Sequence, residues 1–149
     1  MPQVIRQNWE ERLGSEGGRT LQSILRPFVH LQSDNTRLLK EGCVVLLAAT
    51  DVGIPTLIPG ISLHDELQLL VEAGLTPLEA LRAATLNPAH VLGLADSLGA
   101  IATGKLADLV LLDANPLASI SNTRRIHGVI ADGRLYRRAA LDSILAVQR

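Results

Sequence analysis

One carboxylate stands at the end of an apolar run: Asp51 follows the residues Val44–Ala49 after a single threonine. The run is short, begins with β-branched residues and lies between Gly42 and Gly53, which is typical of a buried strand in a parallel sheet. An Asp at the C-terminal end of such a strand sits where α/β proteins, and barrels above all, place catalytic groups. A simple turn cap explains Asp51 equally well, so its position leaves both roles open.

The residues before this strand predict an arm and a broken helix. Residues 1–20 are polar and read as a loose arm. Residues 21–41 have helical spacing in pieces interrupted by Pro27, with Ser33 or Asp34 as the N-cap of the second piece. Three leucines of this segment are expected to face a core: Leu31, Leu38 and Leu39. Cys43, which opens the strand, is expected to be a small core residue.

The residues after the strand predict three helices in succession. Ser62 and Asp65 fit a capping box for the first, which Gly74 ends as a C′ residue. Thr76, with Pro77 and Glu79 behind it, begins a second helix that runs to about Leu86. Asn87-Pro88 repeats the cap-plus-proline device for a short helix through Leu92, ended at Gly93.

After Gly99 the apolar period becomes that of strands. Residues 109–112 form one apolar strand, and the strands 126–130 and 134–136 flank Asp132-Gly133, a strong two-residue hairpin signal. A final helix is indicated by Leu141, Ile144, Leu145 and Val147. The predicted class is therefore α/β, with antiparallel strands and a closing helix at the C-terminal end.

The composition excludes several classes of partner. The chain has 149 residues, 47% of them apolar, which is enough for one domain with a core. A net charge of -1 gives no reason to expect nucleic acid, and no apolar run approaches the ~20 residues of a membrane span. A single cysteine and an N-terminus without a signal-peptide pattern favour the cytoplasm.

The order and spacing of these elements resemble the C-terminal third of the amidohydrolase superfamily, over roughly residues 42–137. The similarity is greatest to its imidazolonepropionase-like and Xaa-Pro dipeptidase-like branch. Each matching stretch is weak by itself, and the set is specific. The stretches are Thr50-Asp51-x-Gly53, Ser62-x-His64-x-Glu66-Leu67, Ala73-Gly74-Leu75-Thr76-Pro77-x-Glu79-Ala80-Leu81, Ala84-Thr85-x-Asn87-Pro88-Ala89, Leu92-Gly93-Leu94, Gly99-x-Ile101, Gly104-Lys105-x-Ala107-Asp108-Leu109-Val110 and Asp113-x-Asn115-Pro116-Leu117.

The resemblance implies a metal-dependent hydrolase of C–N bonds on a (β/α)8 barrel. A small β-domain would be formed by the two ends of such a chain. In this reading Asp51 follows the eighth barrel strand and either ligates a divalent ion such as zinc or orients and deprotonates the attacking water. His64, at the start of the next helix, is a candidate substrate-side residue. A histidine bonded to nearby backbone is at least as good an explanation of His64.

Most of the metal site implied by the resemblance has no counterpart here. The family uses a His-x-His pair, a Lys or Glu and two further histidines, whereas this chain has His30, His64, His90 and His127 and no His-x-His. A catalytic zinc usually takes three protein ligands, so Asp51 cannot hold one by itself. A complete barrel takes ~250 residues. The sequence therefore predicts an arm (1–20), a partial barrel segment with the last strand and its helices (21–95), and a C-terminal β element with a helix (96–149).

Three functional hypotheses follow from this reading. The chain is the C-terminal part of an amidohydrolase that acts with a complementing N-terminal barrel fragment, or it is a non-catalytic remnant that serves as an oligomeric structural or interaction module. In the third, His30, Asp51 and His64 form a new metal site, in part across subunits. Since a barrel segment leaves apolar faces uncovered, self-association into a homo-oligomer is expected.

Overall fold

The computed structural model describes residues 11, 14–16, 31–51, 57 and 59–146. After the helical residues 31–41, the regular elements are α1 (Ser62–Glu72), α2 (Pro77–Ala84), α3 (Leu86–Val91), β1 (Leu109–Leu112), a 3-10 helix (Ile120–Arg124), β2 (Ile126–Ala131), β3 (Arg134–Arg137) and α4 (Arg138–Ala146). The expected arm lies almost entirely outside the described residues, and Pro27 lies wholly outside them. Within them, no helix is long and apolar enough to cross a membrane.

The core lies where α1, α2 and the 3-10 helix meet. Its small residues, Ala80 and Ala83, are fully buried and let α2 approach α1 closely. The larger members come from three elements and their connections: Leu67, Leu70, Leu75 and Ile120. Among the described residues, no large side chain is completely buried, so this core is shallow.

Local capping rules explain how α1 ends and how α2 begins. Gly74 has φ +106°, and the Leu75 amide bonds to Leu70 O at 3.1 Å, which is the Schellman arrangement predicted for this glycine. Thr76 and Glu79 form the predicted capping box, in which each side chain receives the other residue's backbone N–H. The helix ends at Ala84, two residues before the predicted end.

Two other predicted caps are wrong. Ser62 is the first residue of α1 and is buried, Ile61 precedes it as N-cap, and no side chain caps the helix. Asp65 pairs with Arg124 instead of closing a box. Asn87 lies inside α3 rather than before it, and its side chain donates to the backbone of another segment.

The helical residues 31–41 do not face a core. Leu31, Leu38 and Leu39 are all exposed, so their predicted burial is wrong. Ser33 and Asp34 lie within the helix and not at its N-cap. Cys43 is exposed with φ +56°, because it takes the left-handed position after this helix that glycine usually occupies. Its expected place in the core is therefore also wrong.

Residues 44–50 have no regular secondary structure and do not form the predicted buried strand; we call them the extended segment because their burial alternates with the two-residue period of extended backbone. Val45 is 65% and Leu47 43% exposed. A strand exists only through hydrogen bonds to a neighbouring strand, and among the described residues none lies beside this segment. The segment instead packs Leu46 and Ala48 against the core.

The C-terminal elements agree closely with their predictions. β1, β2 and β3 form an antiparallel sheet in that order, with Val110 opposite Val129 and Val129 opposite Tyr136. Asp132 and Gly133 have φ +49° and +74°, as the predicted hairpin turn requires. The closing helix α4 follows β3 directly and has no buried residue.

Candidate functional site

Asp51 ends the extended segment in an exposed position. Its φ of +49° lies in the left-handed region, which Asp tolerates better than most residues, so the chain turns sharply here. Within the described part of the chain, its carboxylate has no hydrogen bond or ion pair. Gly53 and its neighbours 52–56 lie outside the described residues. The carboxylate is therefore not used as a cap by the described residues.

The residues before Asp51 alternate between a helix-facing side and an open side. Leu46, Ala48 and Thr50 are half-buried, whereas Val45, Leu47 and Ala49 are exposed. This two-residue period is that of a strand, even though no strand pairs with the segment. Asp51, the next residue in this alternation, is exposed and therefore lies on the open side of the segment.

Two hydrogen bonds attach the helix-facing side to α2 and α3. The Ala48 amide donates to Ala83 O at 2.9 Å, and Asn87 Nδ2 donates to Leu46 O at 2.9 Å. The matched residue Asn87 thus holds the segment and does not begin a helix. These two bonds hold Leu46 and Ala48 of the segment against α2 and α3.

Glu66 of α1 is a half-buried carboxylate near the Ala49 amide, which was not predicted from the sequence. Burial raises the pKa of Glu66, and the Ala49 amide opposes that rise. The sequence did indicate that Glu66 would be partly buried, because it lies four residues before the buried Leu70 on the same face of α1.

His64 lies at the start of α1, as predicted, but bonds to a side chain of the 3-10 helix. Its Nδ1 is 3.0 Å from Thr123 Oγ1, and that hydroxyl donates to Ile120 O at 2.8 Å. The hydroxyl has one proton, so His64 Nδ1–H must be the donor to it. His64 therefore bonds to a distant element rather than to nearby backbone.

The surroundings of His64 favour its neutral form. Burial lowers the pKa of His64, the nearby Arg124 lowers it further, and Asp65 acts in the opposite sense. Asp65 and Arg124 are themselves paired at 2.5 Å. A neutral His64 with Nδ1 protonated presents a lone pair at Nε2, which can accept a hydrogen bond or bind a metal.

The described residues do not bring a metal site together. No group of three or more His, Cys, Asp or Glu side chains in the described part of the chain could hold a metal ion. No hydrogen bond or ion pair there joins Asp51 to His64, and His30 lies outside the described residues. His90 lies in α3, and His127 is the second residue of β2, with its Nδ1 2.9 Å from Asp113 Oδ1. These residues therefore do not fit a complete catalytic zinc site.

Other residues of the sequence pattern hold backbone turns. Lys105 Nζ donates to the carbonyls of Ala95 and Leu98. Asp108 accepts from the Asp132 amide at 2.7 Å, which holds the hairpin. The pattern at these positions therefore specifies fold.

A cavity of about 440 Å³ opens at the other end of the extended segment, beside Cys43–Leu46. Its charged lining includes Lys40 and Glu79, whose side chains are paired at 3.0 Å. The cavity is not lined by Asp51 or His64, so it is separate from the candidate site.

Comparison with known proteins identifies the family. A family model described as "Amidohydrolase family" matches residues 28–136. The chain is 36% identical over 118 residues to an imidazolonepropionase of Rubrobacter xylanophilus, covering 70% of this chain and 27% of that protein. It is 34% identical over 91 residues to an adenine deaminase of Ligilactobacillus salivarius, covering 61% and 16%.

A solved structure gives the same result. A Xaa-Pro dipeptidase with bound methionine superposes with a TM-score of 0.64 at 35% identity, covering 70% of this chain and 25% of that one. The chain therefore belongs to the amidohydrolase family, as the sequence pattern indicated. Its relatives imply a barrel class of protein, and the chain spans about a quarter of the length of the imidazolonepropionase and of the dipeptidase.

Proposed function

We propose that this chain supplies the Asp51 carboxylate to the site of a metal-dependent amidohydrolase. The reaction is hydrolysis of C–N bonds other than ordinary peptide bonds, or of X-Pro dipeptides. The observation that carries the proposal is the position of Asp51: its carboxylate is exposed at the end of a segment whose other side is attached to two helices, α2 and α3. The names of the relatives support the class of reaction.

The role of Asp51 is to ligate the divalent ion, or to orient the attacking water and take its proton. A carboxylate at hydrogen-bond distance from a water can act as a general base in this way. The remaining groups of the site come from residues outside the described part of the chain. Because the described residues do not fit a metal site, the proposal assigns them no further ligand.

The open side of the extended segment is the surface where the rest of the site attaches. Val45 and Leu47 are exposed, and their backbone amides make no backbone hydrogen bond within the described part of the chain, a combination that accepts a further strand. The covering element belongs to the remainder of a barrel or to a second copy of this chain. We expect the isolated chain to form a homo-oligomer, and sedimentation as a compact monomer at micromolar concentration would exclude it.

A non-catalytic interaction module is the second candidate. It is favoured by the large exposed apolar side chains, such as Val91 and Leu92 beside Gly93, which are 63% and 69% exposed. Several residues of the sequence pattern, such as Asn87, Lys105 and Asp108, hydrogen-bond to backbone groups. A folded module without catalytic activity would need these bonds as much as an enzyme would. This candidate requires no metal.

Metal content measured together with native mass separates the two candidates. We expect stoichiometric zinc only in an assembly that supplies the other ligands, and less of it in the Asp51→Asn variant of that assembly. The matched control is Asp96→Asn, at an exposed position remote in sequence from Asp51. A folded assembly that holds no metal would support the interaction module.

A further inference from the structure

We propose that Thr123 is a positioning residue for His64. Its hydroxyl keeps the imidazole proton on Nδ1, so that Nε2 is left as the acceptor for a substrate group that carries an N–H or O–H. This inference deepens the proposed function and rests on it for the substrate. The contact that carries it is the hydrogen bond of 3.0 Å between His64 Nδ1 and Thr123 Oγ1.

The Thr123 hydroxyl can only accept from His64, because its own proton is already used. Thr123 is buried, and its Oγ1 lies 2.8 Å from Ile120 O, a carbonyl oxygen that has no proton to give. The proton between Thr123 and His64 must therefore come from the imidazole. In a neutral histidine, the hydrogen bond made by one ring nitrogen decides the state of the other. Nε2 of neutral His64 therefore carries a lone pair.

A second contact keeps the imidazole beside Thr123. Asp65, the next residue of α1, pairs at 2.5 Å with Arg124, the next residue of the 3-10 helix. Two consecutive residues of one element are thus joined to two consecutive residues of the other. This double attachment holds Nδ1 towards Thr123, and the shape of the ring then directs Nε2 away from Thr123.

Nε2 of His64 is an acceptor without a partner in the described part of the chain. The hydrogen bond found there for this side chain uses Nδ1. Among the same residues, no buried side-chain nitrogen or oxygen lacks a partner, so Nε2 is not enclosed. A side chain that is already held in one orientation loses less entropy when it binds a ligand. His64 is therefore prepared to receive a donor from outside.

Long-range ¹H–¹⁵N NMR spectra of the purified chain at pH 8 test the tautomer directly. The His64 signals are identified by their loss in His64→Gln, and we expect the proton on Nδ1 in the unmodified chain. Thr123→Val removes the acceptor and should shift the proton towards Nε2, whereas Thr123→Ser keeps the hydroxyl and should keep the proton on Nδ1. Ser121→Ala removes an exposed hydroxyl from the same 3-10 helix and is the matched control, which should leave the tautomer unchanged.

The contact with substrate has its own readout. In an assembly of this chain that hydrolyses its substrate, we expect Thr123→Val to raise KM about tenfold and to change kcat less than about twofold. The reason is that the wrong tautomer presents an N–H to a donor that needs a lone pair. Thr123→Ser should keep KM within about twofold of the unmodified assembly.

Each result has a distinct meaning. A proton on Nε2 in the unmodified chain, or an unchanged tautomer in Thr123→Val, would overturn the positioning role. The first of these results needs no variant, so the test stands even where Thr123→Val does not fold. An unchanged KM in the Thr123→Val assembly would overturn the substrate contact. An assembly that is inactive with Asp51 in place would overturn the proposed function, and the substrate contact with it, and would leave the tautomer assignment standing.

Discussion

His64 Nδ1 lies 3.0 Å from Thr123 Oγ1, and this hydrogen bond, together with the Asp65–Arg124 pair, joins the start of α1 to the 3-10 helix 59 residues away. The Thr123 hydroxyl is buried and donates its proton to Ile120 O. His64 must therefore donate from Nδ1, which fixes its tautomer while it is neutral. The contact therefore joins α1 to the 3-10 helix that precedes β2.

Replacing Thr123 tests this relationship. Thr123→Val keeps the shape of the side chain but removes the acceptor of His64 Nδ1–H. We expect it to lower the free energy of unfolding by about 1–2 kcal/mol, measured by urea denaturation. Thr123→Ser keeps the hydroxyl and should lose less. Equal losses in the two variants would mean that methyl packing, and not the hydrogen bond, matters at this position.

Stability should depend on pH through His64. Its folded-state pKa is lowered from the usual 6.5, chiefly by burial. The unfolded chain therefore binds a proton more readily, so stability is fully present above pH 6.5 and falls as the pH drops towards the lower folded-state value. Urea unfolding between pH 8 and pH 5 should show this loss, and His64→Gln should reduce it.

Glu79 should give a second pH dependence at lower pH. Hydrogen bonds from the Thr76 backbone amide, from Lys40 and from the Thr76 hydroxyl lower the pKa of Glu79 to about 2. Its contribution is therefore present above its usual value of 4.5 and is lost as the pH falls through about 2. Glu79→Gln should flatten the stability profile below pH 4.5. Thr76→Ala, which removes the helix cap, should cost about 1 kcal/mol at neutral pH. An unchanged acid profile in Glu79→Gln would contradict the assigned capping box.

Gly99 should tolerate no side chain. Its φ is +85°, and an added Cβ would lie 2.7 Å from Ala89 Cβ and 3.0 Å from Leu86 Cα. Gly104 has a similar φ of +88° with nothing within 4 Å, which makes it a matched control for backbone strain. We expect Gly104→Ala to cost about 1 kcal/mol and Gly99→Ala about 1–3 kcal/mol more. Equal costs in thermal unfolding would show that the chain does not pack against α3 at Gly99.

The parts of the fold that the sequence predicted well obey rules local to a few residues. Thr76, Pro77 and Glu79 make a helix start from contacts within one turn, and Asp132-Gly133 makes a hairpin from its own backbone preferences. The sheet followed because its strands are consecutive in the chain. Such features need no knowledge of the rest of the molecule.

The predictions that failed concern features that depend on residues far away in the chain. Whether residues 44–50 form a strand depends on a neighbouring strand, and none lies beside them in the described part of the chain. Asn87 looked like a cap because its spacing fits one, but its side chain binds Leu46, 41 residues away. The nearness of Glu66 to the Ala49 amide was missed for the same reason, since the two residues are 17 positions apart. The catalytic role of Asp51 remains a prediction of the same long-range kind.

The most direct test of the account is a graft. Residues 28–136 replace the matched segment of the Rubrobacter xylanophilus imidazolonepropionase, and that enzyme's own reaction is assayed with and without Asp51→Asn. We predict hydrolysis by the graft and a loss of about 10²–10⁴-fold in kcat for Asp51→Asn, with little change in Tm because the described residues make no bond to this carboxylate. Full activity of the Asp51→Asn graft, or a folded graft that is inactive with Asp51 in place, would contradict it.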